Sequence, residues 1–282
     1  MDLSKLTAEA YGSGRLEILR LLAAQPQRYT DLVRRLELSE GEVSRHLQRL
    51  HAAGLVDKLA TGGFTATPLA RLALCFAGAL GLMARHDQYF RSHDVAALDE
   101  PFLQRLGDLA YAEFLTDPLE VQAAMMRLFQ GVEGRFDGIC LVAEHMAMGD
   151  PSEPLKVLAQ RASDHGTRVR LLLQDEDAQL GVRVHCGVAP GIEYRTVPVS
   201  RVDLMVTGNM AILGFVDRDG RMDYNQCFGG SDARFIAFCQ DYFDVVWARA
   251  KIVPSGIVQA ATRAARSEGD VVRPTRRVTR SS

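Results

Sequence analysis

Ser44, Arg45, Gln48 and Arg49 crowd hydrogen-bond donors into a segment whose apolar residues recur at Val43, Leu47 and Leu50. At about 100° per residue, Leu47 and Leu50 fall within roughly 40° of Val43, so the three form a buried stripe. Arg45, Gln48 and Arg49 then lie on the opposite side, with Ser44 and His46 on the flanks. Arg and Gln together on an exposed helical face are side chains able to read base edges and phosphates in a major groove. A solvated helix face is the plain alternative, and the surrounding elements must decide between the two.

Other candidate chemistry is sparser. Arg201 and Asp203 alternate in a β-rich run, so both side chains are expected on one face, close enough to pair. Such a pair would orient a polar ligand or tie a strand to its neighbours. His145 follows another β-rich run and could face a pocket at the carboxyl edge of a sheet, with structural hydrogen bonding as its alternative. His185 and Cys186 are two metal-ligating types side by side, short of what a tetrahedral site needs. The five cysteines include no C-x-x-C pair, so neither a disulfide framework nor a zinc ribbon is indicated. No metal and no cofactor are expected, and the cysteines suit a reducing compartment.

The elements around the first cluster are legible. Gly14 precedes an apolar run through Leu16, Ile18, Leu19, Leu21 and Leu22, and Thr30 reads as the N-cap of a short helix carrying Leu32, Val33 and Leu36. After Leu38-Ser39 a third helix runs from Glu40 to Ala53 and stops at Gly54, as helices commonly do. Leu55 to Leu59 then reads as a strand, Thr61-Gly62-Gly63 as a turn and Phe64 to Thr67 as the returning strand. Lys58 on this two-stranded wing is available for phosphate. The helix from Pro68 to about Met83 serves either packing or a dimer interface.

Residues 15 to about 80 resemble the winged-helix repressors of the ArsR and MarR kind. The likeness is carried by Thr30-Asp31-Leu32, Glu42-Val43-Ser44-Arg45-His46-Leu47, Ala53-Gly54-Leu55-Val56 and Phe64-Thr65-Ala66-Thr67, in that order. It implies double-stranded DNA as partner and a symmetric dimer on two half-sites. Glu40 and Glu42 depart from it, since carboxylates at the helix start repel phosphates. The Cys-x-Cys through which some ArsR members bind metal is missing, so sensing of that type is not expected.

The remainder divides further. Residues 86–117 read as a connector, helical from Pro101 to Leu115. Residues 118–253 alternate helices with β-rich runs at Phe136–Val142, Arg168–Leu173, Ile192–Val197, Val202–Thr207, Met210–Val216 and Arg221–Phe228. A helix from Leu155 to Arg161 between the first two makes a βαβ unit, and Ala233 to Arg249 is a closing helix. From Pro254 the chain is Arg-rich, poor in large apolar residues, and expected to be disordered. Leu155–Leu173, Arg201–Asn209 and Phe235–Trp247 resemble the phospholipase-D-like fold used in archaeal-type methanogenesis regulators and TrmB-like regulators. Active members of that fold carry H-x-K-x4-D, with His as nucleophile. This chain has Arg201, Asp203 and Gly208 at that spacing, and Arg is no nucleophile. The resemblance therefore implies a binding domain without catalysis.

Bulk properties agree. The 282 residues carry a formal net charge of −2, and length alone favours two domains. Nine Lys/Arg against six Asp/Glu between Arg15 and Arg71, and six Arg against two acids from Ala261 onward, put the positive excess at both ends. The N-terminus lacks the form of a signal peptide. The most apolar stretch, Leu69 to Met83, contains Arg71 and is short for a bilayer of about 30 Å. The expectation is a cytoplasmic, homodimeric, non-membrane DNA-binding regulator with an α+β winged helix (1–85) and an α/β phospholipase-D-like domain that senses a small-molecule effector or mediates association. A phosphodiesterase fused to a targeting domain, and a second domain used only for oligomerisation, are the alternatives.

Overall fold

A computed structural model describes residues 2–140, 160, 166–176, 178, 192–254 and 256–260. The chain separates into two compact units, Met1–Arg85 and His86–Ser282.

The first unit opens with α1 (Leu3–Ala10), capped by the Asp2 carboxylate on the Lys5 amide. The apolar run after Gly14 forms α2 (Arg15–Ala24), and α3 (Tyr29–Arg35) and α4 (Glu40–Ala52) follow. Thr30 is not the cap expected of it: α3 begins two residues earlier than that cap implies, its N-cap is Arg28, and no side chain among the described residues caps it. The reason is β1 (Gln27–Arg28), a two-residue strand that pairs with β3 and holds the backbone extended up to the helix start. The wing is β2 (Val56–Lys58) and β3 (Gly63–Ala66), and the sheet order is β1-β3-β2. Ile18, Leu19 and Leu22 of α2, Leu32 of α3, and Val43, Leu47 and Leu50 of α4 share one core with Leu55 and Val56.

Helix α5 (Pro68–Arg85) begins where Thr67 Oγ accepts from the Ala70 amide while donating to the Gly54 carbonyl. Ala70 and Ala73 enter the unit's core, whereas Leu72 and Phe76 are 63% and 64% exposed. At 18 residues it is long and apolar enough by length and composition to cross a membrane. That is longer than the sequence-based expectation, and its alanine-lined buried face is what a packed amphipathic helix shows.

The second unit is built on an eight-stranded sheet of order β11-β7-β6-β5-β8-β9-β10-β4. Its strands are β4 (Glu113–Leu115), β5 (Arg135–Cys140), β6 (Arg168–Gln174), β7 (Glu193–Val197), β8 (Val202–Thr207), β9 (Ala211–Phe215), β10 (Cys227–Gly230) and β11 (Lys251–Ile252). The β5-β6 and β6-β7 pairs are parallel and all the other neighbours antiparallel. The short helices α6 (Asp87–Ser92) and α7 (Glu100–Gln104) and the 3-10 stretches Val95–Ala97 and Leu106–Tyr111 precede β4. The continuous helix expected from Pro101 to Leu115 is therefore corrected. Its last three residues pair instead with β10 at the sheet edge, a long-range partner that helical periodicity cannot reveal.

Helix α8 (Pro118–Gln130) joins one face, with Val121, Ala124 and Leu128 clustered on Val169, Leu171 and Leu173. Alternation sends Arg170 to the other face, under α9 (Ala233–Arg249), whose Phe243 and Trp247 rings lie beside its guanidinium. Sheet coverage on both sides explains why every residue of β8 and β9 is buried. The strand expected at Arg221–Phe228 starts only at Cys227, after turns closed by Asp217 and Asp223 carboxylates. The helix of the expected βαβ unit lies outside the described residues apart from Gln160. The tail expected to be disordered from Pro254 is helical over residues 256–260, with Ile257 and Val258 packed on the α8 core. Beyond that it lies outside the described residues.

Candidate nucleic-acid interface

The interface is built on α4. Ser39 caps this helix in a reciprocal box: its Oγ accepts from the Glu42 amide at 3.3 Å, and its own amide donates to the Glu42 carboxylate at 2.9 Å. Hydrogen bonds from Ser39 hold the Glu42 carboxyl below its ordinary range. The acid that seemed out of place beside phosphates thus serves the helix end. Tyr29 Oη donates to the Glu40 carbonyl at 2.7 Å, bracing α3 against the same end. The other end closes at Gly54, φ +69°, where the Gly54 and Leu55 amides donate to the His51 and Leu50 carbonyls.

Val43, Leu47 and Leu50 are buried, as their spacing required. Arg45 and Gln48 are exposed and Ser44 is half-buried, so the three present one polar face. Arg45 makes no ion pair among the described residues. Lys58 is exposed at the end of β2, four residues before Gly62 of the turn, φ +84°. Arg49 differs. Its Nε and Nη2 donate to Glu9 Oε2 and Oε1 at 3.1 and 2.7 Å, a two-pronged grip on a residue of α1. That grip holds the Glu9 carboxyl below its usual range. Glu9 is also braced by Arg15, whose Nε and Nη2 donate to the Glu9 and Ala8 carbonyls.

His46 fills the seam between α4 and the start of α2. A Cβ on Gly14 would stand 3.0 Å from its Nε2, and Gly14 itself holds φ +75°. Its Nδ1 is buried without a hydrogen-bond partner among the described residues. Burial, then the nearby Arg15 charge, lowers its pKa from the ordinary 6.5, so the ring is neutral at pH 7.

The second unit's candidates do not form the pair that alternation suggested. Arg201 precedes β8 rather than lying on it; its side chain is 57% exposed and makes an ion pair with Asp94. Asp203 lies within β8 and is buried; burial first, and then the Asp203 charge, raises the Cys140 and Cys227 thiols, the latter to about 12. The strand rule failed because only one of the two residues belongs to the strand. His145, His185 and Cys186 lie outside the described residues. Among the described residues no group of three metal-ligating side chains gathers.

Sequence reasoning missed the charged cluster that binds the sheet to α9. Buried Asp137 accepts from Arg170 Nε and Nη2 at 2.6 and 3.0 Å, while Arg170 Nη2 also reaches Asp244 at 2.6 Å. Arg135 bridges Asp137 and Asp244 as well, closing a four-residue network. It missed Glu9 too. An acid forty positions from its partner leaves no periodic signal.

Residues 12–58 match the family of bacterial regulatory proteins described as the arsR family. Among solved structures, TrmBL2, described as an archaeal chromatin protein with a novel mode of DNA binding, aligns over 89% of this chain and 100% of its own. It does so at 12% identity and a TM-score of 0.38. An ArsR-like transcriptional regulator from Rhodococcus sp. RHA1 aligns over 32% of this chain and 86% of its own, at 25% identity and a TM-score of 0.24. NucT from Helicobacter pylori aligns over 50% and 98%, at 10% identity and a TM-score of 0.37. No curated protein matches the chain.

Proposed function

From an ArsR-family DNA-binding helix-turn-helix at residues 12–58, we propose that the chain is a transcriptional regulator that reads duplex DNA as a homodimer. The observation that carries the reading is the exposed face of Ser44, Arg45 and Gln48 on a helix whose opposite stripe is buried. Arg45, without an ion pair among the described residues, suits a base edge or phosphate, and Lys58 on the wing suits a phosphate. The exposed apolar residues Leu69, Leu72, Phe76, Leu80 and Met83 of α5 support self-association. Two copies would present two recognition helices to half-sites about one helical turn apart.

The second unit fits a non-catalytic domain of phospholipase-D-like ancestry that senses an effector or mediates association. Supporting this, Arg201 is engaged with Asp94 and Asp203 is buried where the enzymes of that fold carry their reactive His and Lys. A regulator of this kind works in the cytoplasm.

The test is selection of bound sequences from random duplexes, followed by titration of the selected site at fixed salt. Arg45→Ala is expected to weaken that binding by about 1–3 kcal/mol while leaving the melting temperature unchanged. No duplex binding by the wild type, or equal binding by the variant, overturns the reading face.

A further inference from the structure

We propose that Glu9 is an electrostatic brake on the recognition helix: by pairing with Arg49 it withholds from DNA a cation that α4 would otherwise present. The inference rests on the DNA-reading role of α4 proposed above.

Arg45 and Arg49 stand one turn apart on α4 and about 40° apart around it, yet their electrostatic situations are opposite. Arg45 is exposed without an ion pair among the described residues. Arg49 has its Nε and Nη2 on the two oxygens of a single carboxylate. A guanidinium matched in this way adds little net charge to the surface that meets phosphates. The carboxylate itself repels them.

The carboxylate is held in place rather than adventitious. Glu9 is only 14% exposed, and the nearly buried Arg15 fixes the end of α1 through the Glu9 and Ala8 carbonyls and lies 3.5 Å from the Glu9 carboxylate. Its lowered pKa keeps it charged at neutral pH. The pair is also breakable, since the Arg49 side chain is 54% exposed and ion pairs at such positions are weak. Helix α1 is shallowly seated: Ala10 is its one buried residue, helped by the half-buried Leu6, and Tyr11 Oη reaches the Ala73 carbonyl just beyond it. Both Glu9 and α1 lie before the residues that match the ArsR family.

The physical consequence has a sign. Each phosphate that a cation neutralises steepens the dependence of log K on log salt by about 0.9. Glu9→Gln removes the charge while keeping the shape, leaving Arg49 free to take one phosphate per half-site. A carboxylate that merely oriented Arg49 toward phosphate would give the reverse, because its loss would weaken binding.

The experiment titrates the full-length protein against a fluorescein-labelled duplex of mixed sequence over a range of salt, for wild type, Glu9→Gln, Arg49→Ala and the double variant, with thermal melts alongside. Glu9→Gln is expected to bind roughly five- to tenfold tighter at 0.1 M salt, with the slope steeper by about one per half-site. The gain from Glu9→Gln should be clearly smaller in the Arg49→Ala background than in the wild type, the difference being the part that Arg49 carries; an equal gain in both backgrounds overturns the brake. A melt that shows α1 loosened in Glu9→Gln leaves this expectation intact, since a loosened α1 also frees Arg49. Unchanged or weaker binding by Glu9→Gln overturns the brake while DNA reading by Arg45 stands. Absence of duplex binding in the wild type at low salt overturns both.

Discussion

Arg49 in the first unit and Arg170 in the second both grip a carboxylate with two guanidinium nitrogens, at similar distances. Their surroundings separate them. The Arg49 side chain is 54% exposed and its partner sits on a thinly packed terminal helix. Arg170 is 8% exposed, its partner Asp137 1%, and the pair is closed in by Asp244, Arg135 and the rings of Phe243 and Trp247. Water competes for the first pair and is kept from the second. An identical contact is thus an adjustable surface charge in one place and a fixed strut between sheet and helix in the other.

Breaking the strut should have the largest effect. Asp137→Ala leaves Arg170 buried with one carboxylate fewer, so the second unit is expected to lose about 3–5 kcal/mol in denaturant unfolding. A loss as small as that of an exposed pair, about 1 kcal/mol or less, would erase the distinction drawn above. Lys58→Ala comes next and concerns only the exposed surface of the first unit. Binding should weaken alike for selected and unselected duplexes, with the salt slope flattened by about one per half-site. A loss confined to the selected sequence would make Lys58 a base reader instead.

The smallest effect is the pH response of the seam between α4 and α2. His46 is faced by Arg15 from α2, and by Glu42, Arg45 and Arg49 on its own helix. Its pKa is lowered in the folded state, so the unfolded chain binds the proton more tightly. The stability it supports is therefore complete above about pH 6.5 and declines as pH falls from there through the lower folded value. Thermal melts of the first unit should drop across that window in the wild type and drop less in His46→Gln. A rise in stability on acidification would mean that Glu42, not burial and Arg15, governs the ring.

Much of the reading face was already determined by residue order. The stripe of Val43, Leu47 and Leu50 set the buried side of α4 and with it the exposure of Arg45 and Gln48, because 3.6-residue periodicity is a local property. Gly54 and Gly62 of the wing turn were equally readable, since a left-handed backbone position favours Gly. What only the tertiary structure decided depends on distant partners. Glu9 meets Arg49 because α1 packs back along α4, and Leu115 joins a strand because β10 offers an edge. Arg201 parts from Asp203 because β8 begins between them and Asp94 lies within reach. Asp137 finds Arg170 because two strands pair in parallel register, and Asp244 because α9 covers that face. Charges, unlike apolar stripes, follow no period along the chain, so their partners are settled only when the chain has folded.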